Sequence, residues 1–314
     1  MTAPQNIELR HESGATASVL AGFGFNCYDW SVPVRGQPVQ ALWQHPDFAQ
    51  GNQRPSGSGI PLLFPFPGRI AGGVYSWDGK NYELPANDGR GNAIHGFVHN
   101  RPWRVLDQNE TSATGEFHAA IDAPEVLELW PADFRIKVRI SLGASDLALD
   151  VHVDNPSDRP LPCGFGAHPY YRVPLGSEAA SEVLVALPVR SRWELVELLP
   201  TGRRLSVDDE PLRHGTPFGP LQFDDAFTDL IFDGEWTTAT LNDPGSSVRL
   251  CASYDRAFRE CVVYTPPHRE AICIEPLTCV PGAITLQAKG LDAGLRVLEP
   301  GESLAARMRL KLVG

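Results

Sequence analysis

Apolar and polar residues alternate with period two in four segments of the chain: FRIKVRISL at 134–142, LALDVHVDN at 147–155, SVRLCASYD at 247–255 and ARMRLKLV at 306–313. Successive side chains of a strand point to opposite faces, so each segment predicts a strand with one face buried and the other wet. DNPSDRP, LPTGRR, NDPGSS and LEPGES supply Pro, Gly, Asn and Asp at the intervening turns. A helix of three turns needs an unbroken apolar stripe at i, i+3, i+4 and i+7. The 28 prolines and 29 glycines leave few windows for one, and no helix longer than two turns is expected. The pattern predicts an all-β chain, a large antiparallel β-sandwich of sheets packed face to face, larger than the immunoglobulin type. No internal repeat or linker divides it, so residues 1–314 are read as a single domain.

Composition narrows the partners. With 42% hydrophobic residues in 314, the chain can bury a large core, and disorder is disfavoured. Its 27 basic and 38 acidic residues give a net charge of -11, spread along the chain, which repels polyphosphate and anionic lipid. Neither a nucleic-acid nor a membrane partner is expected. Cysteines 27, 163, 251, 261, 273 and 279 form no C-x-x-C pair and read as reduced core residues. The opening MTAPQNIELRHESG lacks a basic start followed by an apolar run, and no stretch reaches about 18 uninterrupted apolar residues. A cytoplasmic location is expected.

Polar residues in dense Gly, Pro and aromatic surroundings mark the candidate chemistry: GIPLLFPFPGRI (59–70), NAIHGFVHNRPW (92–103), CGFGAHPYY (163–171), AICIEPLTCVPGA (271–283) and, more weakly, LQFDDAFTDL (221–230). His168 follows two glycines that permit close backbone approach and precedes two tyrosines suited to a sugar face; it reads equally as a general acid or as a satisfied core histidine. Glu275 interrupts an apolar strand. Buried there, it would carry a raised pKa and serve as a base; on a strand edge beside Pro276, out of phase with Ile272 and Ile274, it would merely face solvent. Arg69 ends a Pro/Phe-rich run where it would bind a ligand hydroxyl or close a loop by an ion pair. His95 and His99 have the four-residue spacing of helical metal ligands. Gly96 and Pro102 oppose a helix, so His95 reads as a neutral hydrogen-bonding group and His99 as a surface residue. Asp224 and Asp225 would point to opposite faces of a strand, so one of them can serve a pocket.

Walker, G-x-S-x-G and zinc signatures are missing, which removes the usual support for nucleotide, serine-hydrolase and metallohydrolase chemistry. An acid and a base remain, pointing to proton transfer. Taken in order, the R of FPGRI, the H of NAIHG, the H of GAHPYY, the aspartate of FDDAF, the YTP and the glutamate of IEP resemble the aldose 1-epimerase (galactose mutarotase) family over roughly residues 55–285.

That resemblance implies the family's large β-sandwich and a cofactor-free mutarotase, interconverting the α and β anomers of an aldohexose by ring opening and closure. It implies Glu275 as the base at the anomeric hydroxyl, His168 as the acid at the ring oxygen, and Arg69, His95 and Asp224 as sugar-binding residues, with Asp225 the alternative if the segment shifts by one. The implied partner is a small monosaccharide, and the implied state a monomer or homodimer. Gly68 stands where the family often has asparagine, and HGF where galactose-specific members have a double glycine. HGF followed by RPW also resembles the hexose-6-phosphate mutarotases, for which Arg54, Arg90, Arg101 and Arg104 could supply a cationic cluster. A non-catalytic sugar-binding sandwich and a glycosidase using Asp224 and Glu275 are the competing expectations.

Overall fold

The structure, a computed structural model, describes residues 5–207 and 211–314; the first four residues of the opening segment therefore lie outside the described residues. All four alternating segments are strands: Arg135–Leu142, Asp146–Asp154, Val248–Asp255 and Ser303–Val313. They are consecutive neighbours in one nine-stranded antiparallel sheet, in the order Arg135–Leu142, Asp146–Asp154, Ser303–Val313, Val248–Asp255. Register is set by apolar pairs on the buried face, Ile140 opposite Leu149, Leu149 opposite Met308 and Leu250 opposite Leu312. A slip of one residue would turn all of these outward.

The second sheet has eight strands and a different texture. Its path runs Leu199–Ser206, Val189–Val196, Asp224–Leu230, Glu260–Tyr264, Ala271–Leu277, Gly166–Ala167 and Leu62–Leu63, with Tyr170–Arg172 also pairing with Ala271–Leu277. Every residue of Ala271–Leu277 is buried, because strands flank it on both edges and both its faces are covered. A four-stranded sheet, Asn6–Arg10, Thr16–Leu20, Asn26–Val34 and Gln37–Gln40, completes the larger layers.

One hydrophobic core joins the two large sheets, with Val138, Ile140 and Leu250 from the first meeting Phe227, Ile272 and Ile274 from the second. Tyr254 of the nine-stranded sheet donates its hydroxyl to the carbonyl of Ile274 at 3.3 Å, a polar tie across that core. Helices are short, as expected, the longest of those described being Ala283–Ala288. None of the described helices is long and apolar enough to cross a membrane. All six cysteines are free. Five are buried, but Cys251 is half-buried, which corrects its assignment to the core: it alternates with Leu250 and Ala252 and so falls on the outer face.

Candidate active site

Because Ile272 and Ile274 face the shared core, alternation sends Cys273 and Glu275 to the other face of the second sheet. That face is roofed, which overturns the solvent-edge alternative: Glu275 is 4% exposed. It borders a cavity of about 280 Å³ lined also by Arg69, His95, His168, Asp224 and Tyr264. All five residues singled out in the sequence thus meet at one site.

His168 sits in the bend between Gly166–Ala167 and Tyr170–Arg172, held by its N–H to the carbonyl of Pro61 at 2.9 Å. A Cβ on Gly164 would lie 2.1 Å from the Cys279 Sγ, and one on Gly166 2.5 Å from Leu277, so the chain reaches this depth only through glycine. The His168 ring stacks on Tyr170, centroids 4.9 Å apart, and brings Nε2 to 3.3 Å from Glu275 Oε1. Burial pushes the Glu275 carboxyl well up, Asp224 adds to the rise and Arg69 opposes it. Burial pushes His168 down, to about 3. Both shifts disfavour charge in a dry site, so the resting pair is neutral with its proton on Glu275.

His95 follows the two-residue strand Ala93–Ile94, which pairs with Arg69–Ile70. Its φ of 70° is unusual for a residue with a side chain, and the next residue must be glycine: a Cβ on Gly96 would meet the Phe64 carbonyl oxygen at 2.0 Å. The Gly68 N–H donates to His95 Nδ1 at 3.3 Å, while the His95 N–H donates to the Gly68 carbonyl at 2.9 Å. Burial, then the neighbouring His168, holds His95 well below its ordinary pKa. With Nδ1 accepting, the neutral ring carries its proton on Nε2, making it a hydrogen-bond donor.

Arg69 fulfils both alternatives left open for it, lining the cavity and pairing with Asp88 at 3.2 Å. Asp224 lies in register opposite Tyr264, two residues from the Ala226–Val262 pair that continues to Glu275, so it shares the face of the glutamate. Asp225, opposite Val263, also borders the cavity, which corrects the expectation that only one of the two aspartates reaches it, but its carboxylate is paired with Arg192 at 3.3 Å. Burial raises the Asp224 pKa, with Arg69 opposing.

A model of the aldose 1-epimerase family matches residues 5–311. The chain belongs to the aldose 1-epimerase family. Among solved structures it resembles a galactose mutarotase-like protein of Clostridium acetobutylicum, at 23% identity, TM-score 0.83 and 99% coverage of both chains. It likewise resembles a GalM/aldose epimerase homologue from C. elegans, at 18% identity and TM-score 0.82, again over 99% of both chains. The uncharacterized protein YihR of Escherichia coli K12 is 28% identical over 246 residues, 77% of this chain and 75% of that protein.

In this aldose 1-epimerase family member, several expectations need correction. His99 is not a surface residue: it is 6% exposed, its ring stands nearly perpendicular to that of His95 at 6.1 Å, and burial lowers its pKa to about 4. No helix places the two histidines, and no group of three metal-ligating side chains forms among the described residues. Of the four arginines considered for a cationic cluster, Arg54 and Arg90 line the cavity. Arg101 and Arg104 do not; they are engaged by Glu125, and by Glu116 and Asp122. Asp88 and Pro281 were missed. Burial alone would raise the Asp88 pKa, but hydrogen bonds from Asn92, Arg90 and Arg69 outweigh it and hold the carboxylate at about 2. The signal was the turn sequence NDGRGN, in which an aspartate commonly binds the backbone ahead of it. Pro281 explains Gly68, since a Cβ there would strike the proline ring at 2.4 Å, at a φ of 68°.

Proposed function

We propose that this protein is a mutarotase that interconverts the α and β anomers of an aldohexose by acid and base catalysis. The observation that carries the proposal is the buried His168–Glu275 pair, 3.3 Å apart on the wall of a monosaccharide-sized cavity. A cavity of about 280 Å³ is near the lower end of ligand sites, roughly 300–1,000 Å³.

The pair holds one proton in two arrangements. Transfer from Glu275 to His168 turns the neutral resting pair into a glutamate base beside an imidazolium acid. The base removes the proton of the anomeric hydroxyl as the acid protonates the ring oxygen, the C1–O5 bond opens, and rotation about C1–C2 followed by closure on the other face gives the second anomer. Closure runs the same proton transfers backwards. His95, a neutral Nε2–H donor, supports the ring oxygen, and Arg69 and Asp224 hold hydroxyl groups. The family member therefore acts with its own side chains on a small sugar, and a cytoplasmic setting suits such a substrate.

Polarimetry on freshly dissolved α-glucose and α-galactose tests the proposal. The protein is expected to accelerate the approach to anomeric equilibrium, and Glu275→Gln to lower kcat by about 10² to 10⁴. Binding without acceleration would instead indicate a sugar-binding sandwich, and release of the phenol from an aryl glycoside would indicate hydrolysis.

A further inference from the structure

Resting on the mutarotase reading, we propose that the preferred sugar carries an anionic substituent, a phosphate or a carboxylate, received at the cavity mouth by Arg54 and Arg90. Both arginines line the cavity and both are exposed at its rim. Their partners distinguish them from the other guanidiniums nearby. Arg69 is engaged by Asp88 and Arg192 by Asp225. The Arg54 side chain hydrogen-bonds the hydroxyl of Ser56, at 3.3 Å, and the Arg90 side chain, which lowers the Asp224 pKa through its charge, makes no hydrogen bond or ion pair among the described residues.

The acidic residues of the site do not neutralise them. Asp88 and Asp225 already serve arginines, and burial disfavours the charged form of Glu275. With Asp88 on Arg69 and Asp225 on Arg192, Asp224 alone is left to face Arg54 and Arg90, so the cavity mouth keeps an unmatched guanidinium in a chain of net charge -11. A neutral hexose needs donors and acceptors but no excess of positive charge. A guanidinium fork matches the oxygens of phosphate and carboxylate.

The backbone at or beside each arginine is tied to the site. The Arg90 N–H donates to Asp88 Oδ1 at 2.7 Å, and the other oxygen of Asp88 accepts from Arg69 at 3.2 Å. Two residues after Arg54, the Ser56 carbonyl accepts the Tyr170 hydroxyl at 2.9 Å, and Tyr170 stacks on His168. An anion gripped by both arginines would orient the ring toward the His168–Glu275 pair.

The test compares anomer exchange of glucose, glucose 6-phosphate and glucuronate, each corrected for its spontaneous rate, at low and high ionic strength. At least one anionic sugar should exceed glucose in kcat/KM by about tenfold or more, since hydrogen bonds to charged groups are worth that much. Salt should erode the advantage. The double variant Arg54→Gln/Arg90→Gln should bring the ratio of anionic to neutral sugar close to one. The relative response to phosphate and carboxylate identifies the substituent. Glucose matching or exceeding both anionic sugars would overturn this inference and leave mutarotation standing, as would a preference that survives the double substitution. Exchange of none of the three would overturn the mutarotase reading itself.

Discussion

The nine-stranded and eight-stranded sheets obey the same antiparallel hydrogen-bonding rules but spend their side chains differently. In the first, Arg135–Leu142 and Ser303–Val313 alternate buried and wetter residues almost without exception, because one face meets the core and the other meets water. In the second, Ala271–Leu277 is buried throughout, and its two faces differ in chemistry: Ile272 and Ile274 fill the core while Cys273 and Glu275 turn to the cavity side. One sheet is a wall. The other is a wall on one side and a reaction vessel on the other, and its carboxylate is stabilised in the protonated form by the same burial that makes the core.

This division can be broken at either sheet. Ile140→Ala, in the buried face of the nine-stranded sheet, should cost about 2–5 kcal/mol of stability and leave kcat unchanged, as checked by denaturant unfolding beside polarimetry. The pH profile of kcat/KM sharpens the other side. Protonating both members of the pair removes the base, and deprotonating both removes the acid, so activity lies between the two values. With His168 lowered to about 3 and Glu275 raised well above 4.5, the window opens near pH 3, more than a unit below that of an ordinary pair, and its upper edge is set by the raised Glu275. A pair with ordinary values would work only between those of glutamate and histidine and would lose activity about twentyfold near pH 3. Asp88→Asn weakens the seat of Arg69, and KM should rise about tenfold, the worth of a hydrogen bond between charged groups, with a smaller change in kcat. At the other extreme, Lys311→Ala on the exposed face of Ser303–Val313 should shift stability by no more than about 0.5 kcal/mol and leave catalysis untouched.

The two sheets also differ in how far their sequence can be read. Alternation over eight or more residues identifies four neighbouring strands of the nine-stranded sheet directly, since half-burial writes a period of two into the chain. The strands of the second sheet around His168 are too short for any period, Gly166–Ala167 and its neighbour Leu62–Leu63 having two residues each. Glycines and a histidine in an apolar setting were the only local sign of them. Period-two counting did separate Glu275 from Ile272 and Ile274, yet it could not say that the opposite face was roofed, because the cavity there is lined from distant segments carrying Arg69, His95 and Arg90. His99 was misread for the same reason: it is buried, and its backbone lies against the distant Gly24, whose Cβ, if present, would be 2.2 Å from the His99 carbonyl oxygen. The order of the motifs, matched to a family, brought these segments together before any contact was visible.

The central claim is that His168 and Glu275 act as one unit sharing a proton. Comparing kcat for Glu275→Gln, His168→Asn and the double variant on the best sugar tests it most directly. Residues that act as a unit lose nearly everything with the first substitution, so the double variant should be about as slow as the worse single one. Fully additive losses, or a single variant that keeps its activity, would contradict the account.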